Sequence, residues 1–405
     1  MSKNIWIVNQ YSGSIYHGMN YRSYYLAKEL LKSGYKVTIF SGSYSHLFTS
    51  YPNTKGLFTK ENIDGIDYIW VKTPKYKSSK SIGRIINMLI FMINLFFFNT
   101  KSILKPDIII VSSLSLFPIF NAYLWSKKLK VDFIFEVRDL WPQTLIEIGN
   151  LSSSHPLVKF FGWFEKLGYK NTKYVVSLLP NAKKYMVDNG LKENKFIYIP
   201  NGINMDEVKK FEDIDDDIKQ LIPKDKFTIG YVGTIGIANA LEYLIKAIKE
   251  LKGYENIYFI IVGKGSKKEK LKQFVDKNNL TNVTFIDPIP KIQVQGMLKY
   301  IDICYIGWKK ESIYKYGISA NKLFDYMYAG KPILHSFSGE GDIVKLAKCG
   351  ISVEAENVDS IKKGILELYN MQKKDREILG QNGKKYVLKY HTYENIARKY
   401  MELFK

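Results

Sequence analysis

The segment Tyr316-Gly-Ile-Ser-Ala-Asn-Lys-Leu-Phe-Asp-Tyr-Met-Tyr-Ala-Gly-Lys-Pro332 concentrates residue types that can hold a nucleotide. Ser319 and Asn321 are helix-capping types, and the amphipathic run after them carries Lys322 and Asp325 before Gly330 and Pro332 stop it. The amino end of a helix presents unpaired N–H groups and the positive end of the backbone dipole, so an anionic diphosphate fits there. Asp325 falls one turn further on, where a carboxylate could accept hydrogen bonds from two ribose hydroxyls. A capped structural helix reads the same way in isolation, so the position of the segment in the chain has to separate the two readings.

Three other stretches carry polar or glycine-rich chemistry. Glu136-Val-Arg-Asp-Leu-Trp-Pro-Gln143 puts three charges directly after an apolar run. Arg138 there suits a phosphate or sugar hydroxyl and Asp139 suits orienting it, with an Arg–carboxylate pair pinning the loop as the structural alternative. Ser12-Gly-Ser-Ile-Tyr-His-Gly18, containing His17 and Gly18, and Gly233-Thr-Ile-Gly236, containing Thr234, follow strand-like runs where glycine permits close backbone approach to a ligand. Neither is a Gly-x-Gly-x-x-Gly fingerprint, and the chain has no Walker loop.

The elements that position these groups alternate. Strand-like runs fall at Ile5–Asn9, Lys36–Ser41, Tyr68–Val71, Asp107–Ser112, Phe133–Val137, Tyr174–Ser177 and Phe196–Ile199, with helical patterns at Asn20–Ser33, Phe117–Lys128 and Leu157–Tyr169. Continuous apolar runs of this kind mark parallel strands buried on both faces. After Pro200-Asn-Gly202 and an acidic, solvated stretch at Glu212–Asp217, a second alternation begins. Its strands are Thr228–Val232, Tyr258–Val262, Val283–Ile286, Ile303–Ile306, Pro332–His335 and Ile351–Val353. Helical patterns at Asn239–Leu251, Asp359–Met371 and Glu377–Phe404 accompany them. The expectation is an α/β chain of two Rossmann-like, doubly wound domains facing across a cleft, with ligands at the carboxyl ends of the strands.

Composition agrees with two cores. The chain has 405 residues, 46% of them hydrophobic, which is long for a single core. Cys304 and Cys349 are the only cysteines, no Cys/His cluster has zinc spacing, and a strand begins almost at once, so a reducing cytoplasm without a signal peptide is expected. Sixty basic residues against 39 acidic ones give +21, and residues 1–200 hold 26 Lys/Arg against 12 Asp/Glu. That field favours phosphorylated substrates, anionic lipid or nucleic acid, but no nucleic-acid module is recognisable.

Residues 72–105 break the alternation. They contain seven Lys/Arg and no acidic residue around Ile85-Ile-Asn-Met-Leu-Ile-Phe-Met-Ile-Asn-Leu-Phe-Phe-Phe98. As a helix this core is about 21 Å long, short of the roughly 30 Å of a bilayer's hydrocarbon. Flanked by Lys72, Lys75, Lys77, Lys80, Arg84, Lys101 and Lys105, it suits attachment to an anionic membrane surface. A helix buried in the first domain is the alternative.

Taken together, the motifs resemble GT-B glycosyltransferases of the retaining family four, and more narrowly its WbuB-like members in O-antigen and capsule synthesis. The resemblance rests on Trp6-Ile-Val-Asn-Gln-Tyr11 with His17-Gly18, Glu136-Val-Arg-Asp-Leu-Trp-Pro142, Ile199-Pro-Asn-Gly202, Tyr231-Val-Gly-Thr-Ile-Gly236, and Gly317–Met327 with Gly330-Lys-Pro332. It implies an acceptor-binding domain over 1–203, a nucleotide-sugar-binding domain over 204–385, and a final helix, 386–405, returning to the first. It implies a UDP-sugar donor, a polyprenyl-diphosphate-linked saccharide acceptor, and no metal or other cofactor. Gly233, Thr234 and Gly236 would line the diphosphate loop. Ser319, Asn321 and Lys322 would meet the phosphates and Asp325 the ribose. Arg138, where many relatives have a histidine, would touch the donor sugar beside Asp139. His17, Gly18 and Glu136 would belong to the acceptor side.

Two departures stand out: the first glutamate of the family's Glu-x7-Glu motif falls at Gly317, and Thr234–Leu241 lacks the usual Arg and Lys, a charge Lys322 could replace. The implied reaction moves an N-acetylated 6-deoxyhexosamine or hexosamine with retention, at the cytoplasmic face of the plasma membrane. The rivals are a UDP-sugar epimerase of the same architecture, which would need no lipid acceptor, and a non-catalytic basic protein binding membrane or nucleic acid.

Overall fold

The computed structural model describes residues 3–18, 21–78, 81–147 and 149–405. It divides into two compact units, Met1–Asn201 with Tyr393–Lys405, and Gly202–Thr392. The first is built on an eight-stranded sheet of β1 (Asn4–Val8), β2 (Lys36–Gly42), β3 (Phe58–Ile63), β4 (Ile66–Val71), β5 (Ile108–Ser112), β6 (Asp132–Val137), β7 (Tyr174–Ser177) and β8 (Phe196–Tyr198). Their order is β3-β4-β2-β1-β5-β6-β7-β8, parallel except for β3 against β4. Side chains of a strand alternate between faces, and both faces of β1 are covered. Trp6 packs into a ring cluster with Phe40 and Trp125, while Ile5 and Ile7 face a core containing Tyr25, Tyr393 and Tyr400. This two-sided burial explains why the central strands read as unbroken apolar runs.

The sequence reading lacked β3. Its residues, Phe-Thr-Lys-Glu-Asn-Ile, are mostly exposed at the sheet edge, so charge masks the apolar signal. The turn Asp64-Gly65, with φ of 51° and 85°, is the hairpin pair that marks it.

The second unit has six parallel strands, β9 (Phe227–Val232), β10 (Ile257–Val262), β11 (Val283–Ile286), β12 (Ile303–Gly307), β13 (Ile333–Ser336) and β14 (Gly350–Val353). They run in the order β11-β10-β9-β12-β13-β14. Chain direction across the sheet reverses between β9 and β12, so the crevice at their carboxyl ends is the expected ligand position.

The single carboxyl-terminal helix expected from Glu377–Phe404 is two helices, Lys373–Tyr390 and Tyr393–Leu403. The break at His391-Thr392 is fixed by a hydrogen bond from Ile203 N to the His391 carbonyl (2.8 Å) and by a bridge between Ile203 and Thr392. The segment that joins the first unit therefore starts at Tyr393, not at 386, and the first unit ends at Asn201 rather than 203. Of the helix expected over Asn20–Ser33, Asn20 lies outside the described residues and Arg22–Lys32 is helical.

Candidate functional site

The second unit assembles the diphosphate features at its switch point. After β9 the chain enters Gly233 with φ of 156°, and Gly233 N donates to the Val262 carbonyl (2.9 Å). A second glycine loop lies alongside: a Cβ on Gly263 would stand 1.9 Å from the Gly233 carbonyl oxygen, and one on Gly265 would stand 2.2 Å from that of Ile235. Only glycine lets the two backbones approach this closely. Lys268 fastens the second loop by donating to the Gly263 and Ile286 carbonyls and to Asp287. Sequence reasoning passed over Gly263 and Gly265, although glycines directly after the apolar run of β10 repeat the signal used at Gly233.

The helix Asn321–Tyr328 reaches β9 through Tyr326, whose hydroxyl accepts from Val232 N (2.8 Å) and donates to the Val232 carbonyl (3.1 Å). Neither Ser319 nor Asn321 is its N-cap. The N-cap is Ala320, whose side chain makes no capping hydrogen bond, and Asn321 is already the first helical residue. Cap choice depends on backbone geometry that residue type alone does not fix. Alanine brings no side-chain oxygen to the first-turn amides, which suits an outside acceptor.

Lys322 leaves this helix toward the glycine loop. Its Nζ donates to the Tyr231 hydroxyl (2.6 Å) and lies over the Tyr231 ring. A Cβ on Gly233 would be 3.2 Å from that nitrogen. Among the described residues no carboxylate lies within ion-pair distance of it. Burial lowers its pKa to about 7. Asp325 is less open than the sequence suggested. It is buried, and both carboxylate oxygens stand 2.7 Å from Lys291 Nζ. Ribose hydroxyls would have to share this carboxylate with Lys291, a residue from the turn after β11 that no local motif marks. Thr234 and Asn321 are exposed and Gly236 is partly exposed, the two loop residues flanking the buried Ile235. Among the described residues no three His, Cys, Asp or Glu side chains are grouped as a metal ion would need.

In the first unit the expected residues separate into two roles. Glu136, expected on the acceptor side, is buried and braced. It accepts from Arg22 Nε (2.8 Å), Ser112 Oγ (2.7 Å) and the Tyr400 hydroxyl, and Arg22 also donates to the Pro200 and Ile199 carbonyls. Burial alone would raise its pKa, but Arg22, Arg138 and the hydrogen bonds hold it at about 2. His17 is likewise an anchor: buried, with Nδ1 on Ser14 Oγ (2.8 Å), its ring against Trp70 and its pKa lowered by burial. Gly18 has φ of 101°, and a Cβ there would meet Thr49 N at 2.9 Å. Arg138, half-buried, and Asp139, exposed, follow β6 at its carboxyl end. The Arg138 amide donates to Ser113 Oγ (2.9 Å).

The helix Ile82–Phe96 buries Asn87, Met88, Phe91 and Leu95 and turns Ile82, Ile86, Ile93 and Phe96 outward. Among the described residues no helix is long and apolar enough to cross a membrane. Lys80 lies outside the described residues. Arg84 points inward, its guanidinium over the Tyr11 and Trp141 rings, and so leaves the basic rim. Lys72, Lys75, Lys77, Lys101 and Lys105 are exposed.

Comparison with known proteins adds an independent line. Residues 16–207 match the family described as Glycosyltransferase Family 4, and residues 213–386 match Glycosyl transferases group 1. The chain is 27% identical over 246 residues to the uncharacterized glycosyltransferase MJ1069 of Methanocaldococcus jannaschii, an alignment spanning 59% of this chain and 60% of that protein. It is 22% identical over 317 residues to the putative colanic acid biosynthesis glycosyl transferase WcaI of Escherichia coli, covering 75% and 76% of the two chains. Its fold matches that of HepE from Anabaena, solved in complex with UDP-glucose, with a TM-score of 0.69 at 11% identity over 99% of this chain and 98% of that one.

Proposed function

For a chain whose amino-terminal half matches Glycosyltransferase Family 4 and whose carboxyl-terminal half matches Glycosyl transferases group 1, we propose transfer of a sugar from a UDP-sugar to a lipid-diphosphate-linked saccharide, with retention, in a WbuB-like step of surface polysaccharide synthesis. The observation that carries this reading is Lys322. A lysine with no carboxylate partner among the described residues stands against a glycine loop, on a helix whose N-cap, Ala320, has no capping side chain. That arrangement matches a diphosphate that gains charge as the sugar departs. In the retaining step the anomeric C–O bond to the diphosphate breaks and the acceptor oxygen bonds the same carbon from the same face. The acceptor proton passes to the departing diphosphate oxygen, so no side-chain nucleophile is needed. Lys322, the Gly233 loop and the amides at Ala320–Lys322 would stabilise the leaving group, where loss of one fixed donor commonly costs about 10²–10³ in turnover. Asp325 would hold the ribose while retaining Lys291. Arg138 and Asp139 would contact the transferred sugar.

The UDP-glucose bound to HepE supports the choice of donor nucleotide, and the name of WcaI supports a polysaccharide product. Purified protein offered a panel of UDP-, GDP- and ADP-sugars, scored by thermal shift and by slow donor hydrolysis, tests the reading. Stabilisation by UDP-sugars above the others is expected. Preference for a non-uridine nucleotide would refute the donor assignment.

Attachment to the cytoplasmic membrane face belongs to the same proposal. Ile82 is 76% exposed and the adjoining Phe97 70%, too apolar to be left bare without a purpose. The patch extends beyond the expected segment, because Phe96 touches Phe120 and Phe120 touches the exposed Trp163 (ring centroids 5.8 and 6.0 Å apart). Exposed Lys127 and Lys128 share the helix of Phe120, and exposed Lys159 and Lys166 that of Trp163, a combination suited to an anionic interface.

A further inference from the structure

The residues around Lys322 form a closed ring of hydrogen bonds. The Tyr231 hydroxyl accepts from Lys322 Nζ (2.6 Å) and donates to the Thr234 carbonyl. The Asn239 amide, oriented so that its nitrogen donates to the same carbonyl (2.6 Å), brings its oxygen to 3.0 Å from Lys322 Nζ. Tyr231 and Asn239 are both buried. The lysine nitrogen thus has two neutral acceptors and, among the described residues, no carboxylate. A neutral amine has two hydrogens, and this ring accommodates both. Its lone pair is left over, on a nitrogen that the missing side chain of Gly233 keeps uncovered.

Resting on the nucleotide reading above, we propose that Tyr231 and Asn239 are positioning residues that hold Lys322 without a counter-charge, so that the donor diphosphate binds together with a proton taken up by this lysine. The third N–H created by that proton is the one available to a phosphate oxygen. Charge balance is simple: one proton from solvent is added to the Lys322 amine, and the resulting ammonium neutralises one diphosphate charge. Burial and the absence of an anion make the uncharged form accessible near neutral pH. The surroundings leave this assignment intact. Tyr231 on β9, Tyr305 on β12 and Tyr326 on the same helix are held neutral by burial, with pKa values raised. Asp325, one turn along, is paired with Lys291. Lys264 and Lys267, on the adjoining glycine loop, bring no carboxylate to it.

Isothermal titration of the full chain with UDP-glucose, whose diphosphate does not titrate between pH 6 and 8, reads the proton directly when run in two buffers of different ionisation enthalpy. An amine with a pKa of about 7 is mostly neutral at pH 8 and mostly charged at pH 6. Uptake should therefore be about 0.9 proton per ligand at pH 8 and about 0.1 at pH 6, with affinity falling close to tenfold per pH unit above 7. Asn239→Asp, nearly the same size, supplies the missing carboxylate. It should abolish the uptake, flatten the pH profile and weaken binding at least tenfold, whereas Asn239→Ala should weaken binding but keep the uptake. Tight binding with no uptake at pH 8 in the natural chain would overturn the proton linkage alone. No binding at any pH would overturn the nucleotide reading with it. Unchanged uptake in Asn239→Asp would refute the positioning role.

Discussion

Replacing Glu136 by glutamine separates a structural brace from a substrate contact. The Glu136 carboxylate is buried with Arg22, Ser112 and Tyr400 around it. A glutamine would turn an amide donor toward donors and leave the Arg22 cation without its counter-ion. Removing one partner of a buried pair costs about 3–5 kcal/mol. The titration gives a matching size: a carboxyl displaced from 4.5 to about 2 stabilises the fold by about 3 kcal/mol at neutral pH. Because this pKa is lowered, the contribution is complete above pH 4.5 and is lost as pH falls through about 2. In a unit of this size each kcal/mol moves the midpoint by about 2–4 °C, so Glu136→Gln should lower the first unit's melting transition by about 6–20 °C at pH 7. The difference should shrink below pH 4.5. Calorimetry with and without UDP checks this, since the nucleotide should still stabilise the second unit. An unchanged transition accompanied by a raised acceptor KM would refute the reasoning and return Glu136 to the acceptor side.

Asp325→Asn should raise the donor KM about tenfold to a hundredfold, the worth of hydrogen bonds to a charged acceptor, and steady-state kinetics with the preferred donor would show it; an unchanged KM would remove Asp325 from the ribose site. Ile82→Glu or Phe97→Glu should each weaken co-sedimentation with anionic vesicles by about tenfold or more, given the burial energy of a large apolar side chain, while solution hydrolysis of the donor is preserved. Glu165, buried beneath Tyr169 and Tyr185, has its pKa pushed up by burial to about 7. A raised carboxyl favours the fold at low pH and loses that favour as pH rises through 7, so Glu165→Gln should melt higher than the natural chain at pH 8 and close to it at pH 5.

Much of this architecture was legible because parallel strands covered on both faces announce themselves. Runs such as Ile108–Ser112 and Ile257–Val262 contain little else but β-branched and aromatic residues. The glycine loop and Lys322 were legible because they follow or begin such elements. What escaped depends on distance along the chain. Arg22, Glu136 and Tyr400 meet across 114 and 264 residues, and nothing local in Glu136-Val-Arg-Asp139 distinguishes a buried brace from a sugar contact. Lys291 reaches Asp325 from another element, and Tyr231 and Asn239 look like ordinary strand and turn residues until the fold closes them on one amine. In the apolar segment, composition alone does not tell the exposed side from the buried one; Met88, Phe91 and Leu95 are the buried side.

The placement of Tyr393–Leu403 among the residues of the first unit has a consequence for synthesis. A ribosome releases the amino-terminal half long before it translates Tyr393 and Tyr400, so that half waits with Arg22 and Glu136 lacking a hydroxyl partner until Tyr400 has been made. A premature stop just ahead of Tyr393 should then be as damaging as one far upstream, and nascent chains halted there should be favoured targets for chaperones and proteases.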